Sequence, residues 1–160
     1  EAFLRRVDDR LARQRELPEP RPFTILFIDL NGFKNINDSF GHDVGDKVLQ
    51  EIAQRMLSGL RSRDLVARYA GDEFVVMLDA VNNRRDAESA RSNIEQLLDA
   101  PLLSITTAAL DANTGASIGL AMYPEDGQDV ESLVQCSDAD MYRRKQGMQS
   151  GRSGPATPST

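Results

Sequence analysis

The sequence predicts an α+β fold, a central and mostly antiparallel sheet flanked by helices, and three stretches carry that expectation. Residues 23–30 (Phe-Thr-Ile-Leu-Phe-Ile-Asp-Leu) form a short, almost continuous apolar run with several β-formers, which suits a central strand covered on both faces. Residues 65–69 and 74–78 are two β-type runs bracketing Ala70-Gly71-Asp72-Glu73, a short glycine-containing connection that predicts an antiparallel hairpin. From Val44 onward, Val48, Leu49, Ile52, Ala53, Met56, Leu57 and Leu60 recur at three- and four-residue intervals and mark one face of a helix. Helices alternating with strands around one hairpin give the layered α+β order.

The remaining elements follow in chain order. Phe3, Leu4, Val7 and Leu11 have helical spacing and stop before Pro18, Pro20 and Pro22, so residues 1–22 read as a lead-in helix and linker. Residues 86–98 predict a helix, 102–110 and 115–122 strands, and 130–146 a final helix. The stretch 149–160 is rich in Ser, Gly, Pro and Thr and reads as a disordered tail, which leaves 23–148 as the domain proper. No internal repeat is present.

Composition narrows the function classes. The 160 residues are 40% hydrophobic and 28% charged, the balance of one globular domain, and no apolar run approaches the roughly 20 residues that a membrane span needs. No membrane contact by this domain is expected. The net charge of −6 argues against duplex nucleic acid as a partner, so a nucleotide must be held by a local site. The single cysteine, Cys136, allows no internal disulfide and suits a cytoplasmic protein; it lies three residues after Leu133 in an apolar helical pattern and reads as packing rather than as a reactive thiol. The chain begins at Glu1 without an initiator methionine, as expected of a piece of something longer, with any sensor or membrane anchor outside this stretch.

Two acids lie where chemistry concentrates: Asp29 near the end of the first strand and Asp72, beside Glu73, in the hairpin turn. If the strands are neighbours, these carboxylates meet at one edge and suit Mg²⁺, which takes one or two carboxylates and completes its shell with water and phosphate oxygens. Spacing alone leaves the alternative open, two solvated acids at a strand end and a turn. His42, following Gly41 in a turn-like stretch without a second His or a triad partner, reads as structural.

The words around those acids are more specific. Asp29-Leu30-Asn31-Gly32-Phe33-Lys34-Asn35-Ile36-Asn37-Asp38, Gly41-His42-Asp43-Val44-Gly45-Asp46, Arg68-Tyr69-Ala70-Gly71-Asp72-Glu73-Phe74, Ser117-Ile118-Gly119 and Asp138-Ala139-Asp140-Met141-Tyr142-Arg143-Arg144-Lys145 closely resemble, in order and spacing, the GGDEF family of diguanylate cyclases, with an AGDEF variant of its signature. The resemblance implies a palm-like nucleotidyl cyclase fold and condensation of two GTP into cyclic di-GMP with release of pyrophosphate. It also implies a Mg²⁺ or Mn²⁺ cofactor and a second GGDEF domain facing the first, as a homodimer, within a larger signalling protein.

By that resemblance Asp29, Asp72 and the Leu30 carbonyl hold the metal, and Asp72 with Glu73 form the catalytic pair, Glu73 stabilising the transition state or orienting the attacking hydroxyl. Asn37 and Asp46 bind the guanine edge, since an Asp accepts its two N–H donors and an amide both donates and accepts. Leu49 packs near the base. Lys34, Lys145 and backbone N–H groups of the turn from Asn31 to Phe33 meet the triphosphate, and Gly71 gives the freedom for close approach. Read without the family, Asn37 is a turn residue, Asp46 a first-turn helix acid, and both lysines solvated surface groups. Arg61 and Asp64, in Arg61-Ser62-Arg63-Asp64, match the family's product-inhibition site; the alternative is a polar turn with a local ion pair.

Departures from the family pattern bear on activity. Ala70 replaces the first glycine of the signature. Ser137, Asp140 and Arg144 stand where alanines are usual, and Gly147-Met148 replaces a Gly-Arg pair, so a phosphate-binding arginine is missing from its usual place and Arg143, Arg144 or Arg152 are the candidates to replace it. The usual Leu-Thr-Gly-Leu-x-Asn-Arg segment at the start is also missing. Besides an active cyclase, two alternatives stand: a degenerate module that binds GTP or cyclic di-GMP without turnover and regulates an attached domain such as a phosphodiesterase, and a purely structural dimerisation domain.

Overall fold

The computed structural model of the chain describes residues 1–103 and 115–151. In order the elements are α1 (Ala2–Arg15), β1 (Phe23–Leu30), α2 (Phe33–Phe40), α3 (His42–Gly59), β2 (Leu65–Ala70), β3 (Glu73–Leu78), α4 (Arg84–Leu98), β4 (Ala116–Tyr123) and α5 (Val130–Gly151). The strands form one sheet in the order β2-β3-β1-β4, with every neighbouring pair antiparallel.

The apolar run of β1 explains the layering. Successive side chains of a strand point to opposite faces. Leu26, Ile28 and Leu30 pack with Phe33 and Ile36 of α2, Val48, Ile52 and Met56 of α3, and Ile94 and Leu98 of α4. Phe23, Ile25 and Phe27 pack on the opposite face with Phe3, Val7 and Leu11 of α1 and Leu133, Val134 and Met141 of α5. A sheet between two helical layers results, and each fully buried Leu, Ile, Val or Phe contributes about 1.5–3 kcal/mol relative to leaving it exposed. The lead-in helix therefore supplies part of a core; its Arg10 also pairs with Asp79 and lies over the Phe23 ring at 5.2 Å.

Several boundaries differ from the sequence expectation for physical reasons. The fourth helix starts at Arg84, two residues early, because Asn83 caps it, its Oδ1 accepting from the Asp86 N–H at 2.9 Å. Helix α2 has no counterpart among the elements the sequence predicts: its eight residues bury only Phe33 and Ile36, too few to show a period. His42 opens α3 as an exposed residue, with no further role visible in the described structure. Helix α5 continues to Gly151, past the expected start of the tail at Gln149, and residues 152–160 lie outside the described residues. Of the strand expected over 102–110, Leu102 and Leu103 lie in a loop instead, and the rest falls outside the described residues. Cys136 is partly buried against the second cluster, and burial pushes its thiol pKa up, in line with packing. Among the described residues no helix is long and apolar enough to cross a membrane.

Candidate active site

Strand parity decides where Asp29 points. It follows Phe23, Ile25 and Phe27 on the face covered by α5, and its Cα partners are Glu73 on β3 and Ser117 on β4. From α5 the Lys145 ammonium donates to Asp29 Oδ2 at 2.6 Å, and the Asp29 side chain is only 13% exposed. The β2–β3 connection is a two-residue turn in which Gly71 has φ 47°, a positive value that favours glycine, and its second residue is Asp72. Asp72 is tied to the end of β1 by its carbonyl, which accepts from the Leu30 N–H at 3.2 Å.

The electrostatics of this corner are those of crowded carboxylates. Burial, then the neighbouring Asp29 carboxylate, raise the Asp72 pKa above its ordinary value despite the Lys145 ammonium. Glu73 is raised by burial first, then by Asp29, Asp138 and Asp72. Asp138, on α5, is a contributor to this corner that the sequence reading left unassigned. Among the described residues no three His, Cys, Asp or Glu side chains converge into a group able to hold a metal ion alone. Two carboxylates brought together by β1 and the hairpin still fit a hard divalent cation that takes its other ligands from water and phosphate. Lys145 already places one positive charge on Asp29, and the raised carboxylates would gain from a second.

On the other side of the end of β1, Gly32 takes φ 71° and starts α2, whose first free backbone N–H groups form a local positive end beside the acids. Phe33 is buried, Lys34 exposed, and Asn37 sits on the second turn of α2 with its Oδ1 shielded from solvent and, among the described residues, without a hydrogen-bond partner. Gly41 ends α2, and on α3 Asp46 is exposed while Leu49 is buried. The structure therefore gathers Asp29, Leu30, Gly71, Asp72, Glu73 and Lys145 at one corner, with Phe33, Lys34, Asn37, Asp46 and Leu49 on the adjoining helix pair.

The product-inhibition pair and the candidate replacement arginines sit elsewhere or do other work. Arg61 and Asp64 precede β2, at the end away from the turn and about 15–20 Å off along the strand at roughly 3.3 Å per residue. Asp64 accepts from the backbone N–H of Arg61 at 2.9 Å and of Asp79 at 3.1 Å, so it braces this turn; the Arg61 side chain is exposed. Arg144 donates to Asp140 at 2.9 Å and to Glu88 of α4 at 2.7 Å, which occupies it away from the acids. Arg143 is exposed with a long 3.5 Å pair to Asp140, and Arg152 lies outside the described residues.

An antiparallel sheet between helical layers, with two acids meeting where a central strand ends beside a hairpin turn, is the palm-like fold of nucleotidyl cyclases. Residues 1–151 match the family described as diguanylate cyclase, GGDEF domain, and the chain belongs to that family. It is 39% identical over 150 residues to the bifunctional diguanylate cyclase/cyclic di-GMP phosphodiesterase MucR of Pseudomonas aeruginosa, covering 92% of this chain and 21% of that protein. Over 148 residues it is 34% identical to the cyclic di-GMP phosphodiesterase NbdA of the same organism, covering 91% of this chain and 17% of NbdA. The chain thus spans about a fifth of the length of these relatives. The crystal structure of the GGDEF domain of YfiN (TpbB) from Pseudomonas aeruginosa superposes with a TM-score of 0.79 at 37% identity, covering 90% of this chain and 88% of that one. Membership of this family implies a divalent cation.

Proposed function

We propose that the domain binds GTP with Mg²⁺ or Mn²⁺ and, paired with a second copy, condenses two GTP into cyclic di-GMP and pyrophosphate. The observation that carries this reading is the gathering of Asp29, Asp72, Glu73 and Lys145 at one end of the β1–β3 pair, beside the start of α2. Asp29, Asp72 and the Leu30 carbonyl would hold the cation, which when bound neutralises charge on the attacking and leaving oxygens.

This chain's residues do the rest. Lys34, Lys145 and the N–H groups at Phe33 meet the triphosphate, and the side-chain-free Gly71 lets the turn approach it. Asn37 and Asp46 pair with the guanine edge while Leu49 underlies the base. Glu73 orients the attacking hydroxyl. In each of two steps a 3′-oxygen bonds to the α-phosphorus of the facing GTP, the bond to pyrophosphate breaks, and the hydroxyl proton passes to solvent. One domain holds one GTP, so the homodimer is part of the mechanism. Arg61 and Asp64 form a second, inhibitory site for cyclic di-GMP, Asp64 using lone pairs left over from its two backbone bonds. The compartment is the cytoplasm, where GTP is available.

A second reading, a GTP-binding regulator without turnover, is favoured by one observation: Arg144, a candidate to replace the missing phosphate-binding arginine, is held by Glu88 and Asp140. Both readings require base-selective binding. Calorimetry with GTP and ATP, each with and without Mg²⁺, is expected to show metal-dependent binding at least tenfold tighter for GTP; equal affinities would refute both.

A further inference from the structure

We infer that Gly45 is a positioning residue for base selection, needed because any side chain there would occupy the place of the Asn37 amide; this rests on the reading that the α2–α3 cleft receives guanine. Gly45 is buried near the start of α3 and is absent from the positive-φ glycines of the described residues, which are Gly32, Gly41 and Gly71. Backbone freedom is therefore not what the position requires. Within a helix, propensity favours alanine over glycine. Something else must exclude the methyl group.

That something is Asn37. A Cβ built on Gly45 would lie 1.9 Å from Asn37 Oδ1, 3.0 Å from its Cγ and 3.3 Å from Phe33 Cζ. The two residues are held in this relation by consecutive backbone bonds across the helix junction, Gly41 N–H to the Asn37 carbonyl at 2.8 Å and Gly45 N–H to the Gly41 carbonyl at 3.2 Å. Since Phe33, behind them, is itself buried in the core, the amide must turn aside if a methyl group is added. The Asn37 Oδ1 is withdrawn from solvent and, among the described residues, without a donor, an arrangement that costs free energy until a donor arrives. A donor reaches this oxygen once a small local shift opens the cleft, and guanine, with N–H donors on its N1 and N2 edge, carries one; adenine offers an acceptor at N1 and no 2-amino group. Gly45 thus acts on the base through Asn37, without touching it.

The test is a double-mutant cycle on the full 160-residue chain: wild type, Gly45→Ala, Asn37→Ala and the double variant, with GTP affinity in Mg²⁺ read by calorimetry and thermal midpoints by circular dichroism. The expected result is at least a tenfold loss of GTP affinity on Gly45→Ala in the wild type and less than a twofold change in the Asn37→Ala background, where the overlap is gone. An unchanged affinity for Gly45→Ala, or equal losses in both backgrounds, overturns the inference and assigns Gly45 to helix packing. If Gly45→Ala does not fold, or Asn37→Ala binds too weakly to measure, the midpoints carry the cycle. A double variant as stable as Asn37→Ala supports the coupling; one unfolded like Gly45→Ala contradicts it. Wild type that binds no GTP would refute the functional reading and base selection together, whereas wild type that binds normally beside an unaffected Gly45→Ala refutes this inference alone.

Discussion

At the residue scale, the hairpin that carries Asp72 separates two neighbouring positions by one torsion angle. Ala70 is exposed and pairs with Glu73 across the ladder, and among the described residues no non-glycine has positive φ, so the alanine in the signature is unstrained. Gly71 has φ 47°. Ala70→Gly should therefore leave folding stability within about 0.5 kcal/mol, as unstrained exposed substitutions do. Gly71→Ala should destabilise the turn by about 1–2 kcal/mol, the cost of the left-handed region for a residue with a Cβ. Urea denaturation of the two variants checks the contrast. Lys145 tests the corner from α5: a charged hydrogen bond contributes about 1.5–3 kcal/mol, so Lys145→Met should weaken GTP binding by about tenfold or more in calorimetry. The pairing of Lys145 with Asp29 was not legible in the sequence as a contact; they lie 116 positions apart, and only strand parity in the folded sheet turns Asp29 toward α5.

At the scale of elements, α5 is set against β4 by a missing side chain. A Cβ on Gly119 would lie 2.1 Å from both the Met141 nitrogen and the Ser137 carbonyl oxygen, backbone atoms that cannot rotate away. Gly119→Ala should push α5 off the sheet, cost about 1–3 kcal/mol as overpacking does, and carry Lys145 out of reach of Asp29; paired urea and GTP titrations would show both losses. The three positions that depart from the family's alanines have local explanations. Ser137 is buried and donates to the Val134 carbonyl, Asp140 accepts from the Leu120 N–H at 2.9 Å, and Arg144 joins Asp140 to Glu88 on α4.

Burial alone would raise the carboxyl pKa values of Glu88 and Asp140. Their bonds outweigh it, Arg144 and Arg91 on Glu88 and the Leu120 N–H and Arg144 on Asp140, and both end below their ordinary values. Groups depressed on folding contribute stability above their unfolded pKa, about 4, and lose it as pH falls through the folded value. The stability gap between wild type and Arg144→Met should therefore be full near pH 6 and shrink below about pH 4, as measured by denaturant midpoints across that range. Long elements were legible in the sequence because their period repeats, as in α3; α2 was not, because eight residues bury two apolar side chains.

At the scale of the whole molecule, the two-sided burial of β1 was legible in its unbroken apolar run, and it fixes the layers. The candidate site lies where those layers meet, with one acid from β1, two from the β2–β3 hairpin, a lysine from α5 and Phe33, Lys34, Asn37, Asp46 and Leu49 on α2 and α3. No single stretch of sequence shows that meeting; family words located the residues, and sheet register supplies the physical reason they converge. On the proposed function, a chain of net charge −6 that binds a nucleotide carrying several negative charges would depend on this local arrangement, and joining two GTP would depend on two such corners facing each other. The most direct test is incubation of the chain, fused to a strong dimerisation module, with GTP and Mg²⁺, followed by chromatography of the nucleotides. The account predicts cyclic di-GMP and pyrophosphate from the parent and none from Asp72→Ala; bound GTP with no product from the parent would contradict it.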